Sequence, residues 1–235
     1  MSYTLAFTTY KSAQYILRHL QNDYFKMSNN LIDEIIIQDD HTEDYSILKP
    51  HETDRIKIFQ NEKRLLPLLS RVNLLNNCKN DWVVLMDSDN FPTQKTFDTL
   101  NSFTPEPGVI YAPGFATPDF NFRSQYADTM IDMKMAAERI GVPGVNWINV
   151  LLNTSNYLIP RLEFLEVAKD IDPNLPVCPC EVLYFNYLWL KSGRKIFCNK
   201  DYEYNHGIRE DSFYRTYCAD SRLPESLYQL YYQHR

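Results

Sequence analysis

The chain has 235 residues, 44% of them hydrophobic and 23% charged, with a formal net charge of −6. That length suits one α/β domain with a core of ordinary size, and the composition is that of a folded soluble protein rather than a disordered one. An acidic balance with no basic run argues against a nucleic-acid partner, and no stretch approaches the roughly twenty apolar residues of a transmembrane segment.

The opening MSYTLAFTTYKS has no basic lead and only a short apolar run, so it reads as neither a signal peptide nor an anchor. TLAFTT (4–9) reads as a buried strand, and apolar residues at helical spacing follow from Ser12 to about Lys26 (Ala13, Ile16, Leu17, Leu20). EIIIQDD (34–40) and RIKIFQN (55–61) read as strands. Residues 64–78 read as a helix with Leu65, Leu68, Leu69, Val72 and Leu75 inward, and WVVLMDSD returns to strand. Near-continuous apolar strands alternating with helices predict a mostly parallel central sheet with helices on both faces, a three-layer α/β/α domain. Ligands of such sheets bind beyond the carboxyl ends of the strands. Polar residues recur there: Thr8 and Thr9, Asp39 and Asp40, Asn61, then Asp87 and Asp89.

The second half reads as a strand within PEPGVIYAPGF (105–115), a helix from about Ser124 to Ile140, and strand, turn, strand over NVLLNTSNYLIPR (149–161). An aromatic helix stopped by glycine follows over CEVLYFNYLWLKSG (180–193), then the strand RKIFCN. A last helix with a stripe of Leu227, Leu230 and Tyr231 is expected to pack on the domain. Without repeats or linkers, residues 1–235 form one expected domain, with two halves (1–92 and 93–235) of different character. Five cysteines at irregular spacing do not make a disulfide framework and suit a reducing, cytoplasmic setting. Cys178 and Cys180 lack the second C-x-x-C that a zinc site needs.

Asp87-Ser88-Asp89 carries the chemistry. Two carboxylates converging at a strand end repel unless a cation lies between them, and Mg²⁺ or Mn²⁺ is commonly held by one or two carboxylates plus substrate phosphates. A solvated turn is the bland alternative. A calcium loop over Asp87, Asp89 and Asp98 fails because Phe91 cannot ligate through its side chain and Pro92 replaces the turn glycine.

Four segments in order give this motif a context: FTTYK (7–11), EIIIQDDHTED (34–44), SRV (70–72) with Arg71 sixteen positions before Asp87, and MDSD (86–89). Together they resemble the nucleotide-binding half of GT-A fold glycosyltransferases, especially family 2. Lys11, His41 and Val72 depart from that family's asparagine, glycine and asparagine. The resemblance implies transfer of a sugar from a nucleotide-diphosphate donor, UDP-linked, to a saccharide or other hydroxyl acceptor, with Mn²⁺ or Mg²⁺ at Asp87 and Asp89. It implies that Thr8, Thr9 and Tyr10 line the nucleoside pocket and that Asp39 accepts from the base. Asp40 would support the turn, Arg71 would face base or phosphates, and Ser88 would lie against the donor. It further implies a general base opening a helix about a dozen residues before a glycine turn, a place taken by Glu181, and a histidine completing the metal site, His206. Asn156 in TSNYLI would approach the donor sugar. The structural alternatives are strand-end threonines, a surface ion pair for Arg71, a helix-dipole carboxylate for Glu181 and a loop histidine.

Two other functions compete. A nucleotidyltransferase would carry a Gly-rich phosphate loop after the first strand, and FTTYKSAQY has no glycine. A non-catalytic nucleotide- or carbohydrate-binding domain would not need the Asp-Ser-Asp motif.

Overall fold

The computed structural model describes residues 1–118, 120–140, 155–172, 181–207, 209 and 222–235. Strand β1 (Tyr3–Thr9) pairs in parallel with β2 (Ile32–Asp39) on one side and β4 (Trp82–Asp87) on the other. β2 pairs in parallel with β3 (Ile56–Gln60). Alternate residues of these strands enter opposite cores. Ala6, Ile36, Val83 and Leu85 face one, while Leu5, Phe7, Ile35, Ile37, Val84 and Met86 face the other. A central strand covered on both faces has no solvent side, which is why these segments read as unbroken apolar runs.

Helices α1 (Ala13–Leu20), α2 (Tyr24–Met27), α3 (Asp44–Leu48) and α4 (Pro67–Asn77) connect the strands. Helix α4 starts three residues later than the periodicity suggests. Pro67 fits its first turn, where no N–H is needed. Leu65 and Leu66 before it instead donate their N–H groups to the Asp40 carboxylate at 2.8 and 3.0 Å.

Beyond β4 come β5 (Phe91–Pro92), α5 (Gln94–Asn101), β6 (Val109–Thr117), β7 (Phe120–Asn121), α6 (Arg123–Tyr126), β8 (Thr129–Ile131) and α7 (Met133–Arg139). They are followed by β9 (Leu158–Pro160), α8 (Arg161–Val167), α9 (Glu181–Lys191), β10 (Lys195–Asn205) and α10 (Arg222–Tyr232). The sheet order is β3-β2-β1-β4-β9-β6-β10-β5, with β7 on β6 and β8 on β10. β9 is antiparallel to both β4 and β6, and β6 is parallel to β10. The chain is therefore a single α/β domain on a mixed, mostly parallel sheet with helices around it.

The single helix expected from Ser124 to Ile140 is two short helices separated by β8. Asp128 turns the backbone into the left-handed region (φ 51°), and Thr129–Ile131 pairs antiparallel with β10. Asp132 then caps α7 by accepting from the Met135 N–H at 2.9 Å. Gly193, at φ 84°, follows the end of α9. The C-terminal stripe packs on the domain: Leu227 and Tyr231 are buried, and the Tyr231 hydroxyl donates to the Leu183 carbonyl at 2.7 Å. The expected strand before Ser155 and the Cys178/Cys180 pair lie outside the described residues. No helix among the described residues is long and apolar enough to cross a membrane.

Candidate active site

The carboxyl ends of β1, β2 and β4 form one rim. Register sets Thr9 beside Asp39 and Thr8 beside Asp87. The Thr9 hydroxyl donates to Asp44 at 2.7 Å, and the Ser12 N–H donates to the same carboxylate oxygen at 2.7 Å. Asp39 is buried and accepts from the Thr42 N–H (2.7 Å), the Thr42 hydroxyl (2.6 Å) and the Gln60 amide (2.9 Å). Burial raises its pKa against these lowering hydrogen bonds. Asp40 points elsewhere, to the Leu65 and Leu66 N–H groups and to the Asn61 amide at 2.8 Å. Tyr10 is half-buried, with the Arg64 guanidinium 4.2 Å above its ring. The sequence reading missed Asp44, Thr42, Gln60 and Arg64. Thr42 and Asp44 carried a signal, as members of the segment EIIIQDDHTED.

Asp87 ends β4. Its N–H donates to the Asn156 side-chain oxygen at 2.9 Å, and one carboxylate oxygen accepts from Arg71 at 3.0 Å. The other oxygen lies 3.4 Å from the amide nitrogens of Asn90 and Asn156, a longer and weaker approach. Ser88 is buried, its hydroxyl 2.9 Å from that of Ser12 and its carbonyl 3.0 Å from His19 Nε2. Asp89 has its pKa raised to about 6, by burial first and by the charge of Asp87 second, while Arg209 and His206 pull the other way.

The segment after β10 clamps this turn. Gly207 donates its N–H to Asn90 at 3.0 Å, and His206 donates its own to the Thr117 carbonyl at 2.7 Å. A Cβ on Gly207 would lie 1.9 Å from the Asp89 carbonyl oxygen, so no side chain fits there. Among the described residues no three His, Cys, Asp or Glu side chains form a ready-made metal cluster. The donor set nonetheless fits a hard divalent cation that takes its other ligands from phosphate. Two carboxylates share one turn, and burial first and the charge of Asp87 second raise the Asp89 pKa, both of which a bound cation would offset.

Arg71 lies on α4 and is buried. One guanidinium nitrogen donates to Asp87 at 3.0 Å and another to Glu181 at 3.1 Å. Glu181 is the first residue of α9 and is itself buried. Burial opposes the charge on Arg71, but the two carboxylates outweigh it and raise its pKa. The guanidinium thus spans from the Asp87 turn at the end of β4 to Glu181 at the start of α9. An apolar cleft lined by Leu68, Leu85, Tyr157, Phe164, Val182 and Phe185 adjoins it.

In sequence comparison, the family model described as Glycosyl transferase family 2 matches residues 5–140, more than half of the chain. No curated protein matches it. Among solved structures the chain is similar to S. aureus TarS 1-349 in complex with UDP-GlcNAc, at 16% identity, 91% of this chain, 60% of that chain and a TM-score of 0.61. The same protein in complex with UDP gives 16%, 98%, 65% and 0.62. The mannosyltransferase PcManGT from Pyrobaculum calidifontis, in complex with GDP-Man and Mn²⁺, gives 12%, 90%, 58% and 0.59. At such identities the likeness establishes the fold, and the chain spans less than two thirds of each of these proteins. With the family model covering most of β1 to α7, the chain belongs to glycosyl transferase family 2.

Proposed function

We propose that this protein transfers a glycosyl group from a UDP-linked sugar to a hydroxyl of a saccharide acceptor, with Mn²⁺ or Mg²⁺ held by Asp87 and Asp89 and completed by His206. The observation that carries this reading is the Arg71 guanidinium, which joins Asp87 on one side to Glu181 on the other within 3.1 Å. Residues 1–92 would bind the donor, and residues 93–235 would receive the acceptor.

Thr8, Thr9 and Tyr10 line the nucleoside pocket. Asp39 accepts from uracil N3–H, because a carboxylate retains lone pairs beyond the three hydrogen bonds it already accepts. Cytosine offers no proton there. UDP-GlcNAc and UDP in two of the similar structures support a uridine nucleotide, and Mn²⁺ in the third supports a divalent cation. A bound cation supplies neutralisation of the departing diphosphate. Ser88 and Asn156 keep Asp87 and Asp89 in place beside the donor. Glu181 takes the proton of the acceptor hydroxyl as its oxygen attacks the anomeric carbon and the bond to UDP breaks. Arg71 holds that carboxylate in position. The buried free thiols of Cys78 and Cys198 favour the cytoplasm.

Thermal-shift measurement tests the reading. UDP should raise the melting temperature more with Mn²⁺ than with EDTA, and more than CDP does. Equal shifts with and without the cation would remove the metal site, and a larger shift with CDP would displace Asp39 from the base pocket.

A further inference from the structure

Helix α1 buries Ala13, Ile16 and His19 on one face. The histidine stands where the helical period calls for a third apolar residue. Its Nε2 lies 3.0 Å from the Ser88 carbonyl and its Nδ1 2.8 Å from the Tyr24 hydroxyl. A carbonyl oxygen only accepts, so Nε2 must carry the hydrogen. Nδ1 is then a bare acceptor, and the Tyr24 hydroxyl donates to it. Tyr24 in turn accepts from the Asn22 amide at 3.4 Å. The imidazole is stacked on Phe91, ring centroids 4.1 Å apart and planes 16° apart, with Phe7 on a tilted contact at 4.3 Å. Burial lowers its pKa to about 4, which keeps it neutral.

This side chain touches the turn on both sides of Asp89, at the Ser88 carbonyl and at the Phe91 ring. Ser12, immediately before α1, holds the Ser88 hydroxyl at 2.9 Å. The helix and its N-cap residue therefore fix the carbonyl and the hydroxyl of the residue that separates the two carboxylates. A packing role alone would need only volume, which leucine would supply. A hydrogen-bond donor aimed at that carbonyl fixes the peptide plane between Ser88 and Asp89, and with it the direction in which Asp89 leaves the backbone.

We infer that His19 is a positioning residue for the metal-binding turn, setting how Asp87 and Asp89 face a common cation through the Ser88 carbonyl. This rests on the proposed metal reading of those two aspartates. Held ligands bind better because the ordering is done before the cation arrives, and removing such a support typically costs 10–100-fold in affinity.

The test uses the full chain and three variants: His19→Leu, His19→Gln and Tyr24→Phe. Two quantities are measured for each, Mn²⁺ affinity at saturating UDP and UDP affinity in EDTA, with melting temperatures alongside. His19→Leu should weaken Mn²⁺ by roughly tenfold or more while leaving UDP affinity in EDTA unchanged. His19→Gln, whose amide can donate to the same carbonyl, should recover most of the loss. Tyr24→Phe, which frees the imidazole to change tautomer, should fall between them, and it decides the matter if His19→Leu does not fold. Unchanged Mn²⁺ affinity in the folded variants, with wild type requiring Mn²⁺, overturns the inference and leaves the metal site standing. UDP affinity in EDTA falling in step with Mn²⁺ also overturns it, because His19 would then merely support the pocket. A wild type whose UDP binding ignores Mn²⁺ overturns the metal reading and the inference together.

Discussion

Arg71 and Glu181 stand 110 positions apart in the chain and meet at 3.1 Å, both buried, in an ion pair whose other arm closes on Asp87. Two carboxylates reached by two nitrogens of one planar group is a task for arginine, since an ammonium is a point charge that cannot span them in this way.

Arg71 variants should therefore separate charge from shape. Arg71→Met removes the cation from two carboxylates and should cost about 3 kcal/mol in urea unfolding near neutral pH, the usual scale for breaking a buried pair. Arg71→Lys should recover part of that stability but little of the transfer activity. A lysine variant with wild-type turnover would show that the fork geometry is immaterial.

Glu181→Gln keeps size and hydrogen bonding but cannot accept a proton. Transfer should fall by about 10²–10⁴, with UDP binding nearly unchanged. Asp87→Asn should instead weaken Mn²⁺ and UDP binding along with turnover. Normal transfer by folded Glu181→Gln would assign the proton to another group.

Asp89 gives a pH signature in EDTA. Its pKa rises from 3.8 to about 6 on folding. A carboxyl raised in this way favours the folded state fully below its unfolded pKa, and that contribution is lost as pH rises through the folded value. Asp89→Asn should thus melt at a higher temperature than wild type near pH 7, with the advantage vanishing towards about pH 4. The same difference at both pH values would mean that Asp89 is not destabilised by its surroundings.

Gly207→Ala tests the clamp on the turn of Asp87 to Asn90. The added methyl would meet the Asp89 backbone at 1.9 Å, so the chain must shift and the 3.0 Å bond from Gly207 to Asn90 must open. Mn²⁺-dependent binding of UDP should weaken while UDP binding in EDTA persists, read by calorimetry. Wild-type Mn²⁺ affinity would show that the turn holds its shape unaided.

The parallel strands were legible because burial on two faces leaves few positions for a polar residue, Thr4, Glu34 and Gln38 being buried with hydrogen-bond partners, and each run ends where the polar rim begins. The break at Asp128 was not legible. Thr129–Ile131 becomes strand only because β10 offers it a partner, a contact no local period records. Helix α4 shows an intermediate case: its apolar period was legible, but the period placed its start three residues early, because Leu65 and Leu66 donate to Asp40, far back in the chain. Two departures from the family pattern also gain a physical meaning. Lys11 and His41 adopt left-handed backbone at φ 52° and 64°, the conformation that asparagine and glycine take most readily. For the site, the carboxylates could be found because they end strands. The approach of Glu181 to Arg71 could not, because the packing of two helices sets it.

The pairing of Thr9 with Asp39 and of Thr8 with Asp87 fixes a distance. Asp39 and Asp87 lie two strands apart across β1, a span of about 10 Å set by backbone hydrogen bonds at roughly 4.8 Å per strand. Replacing side chains can change what either end recognises, but not how far apart the ends stand. An engineer who wants another interval between the two carboxylates must therefore edit the strands themselves.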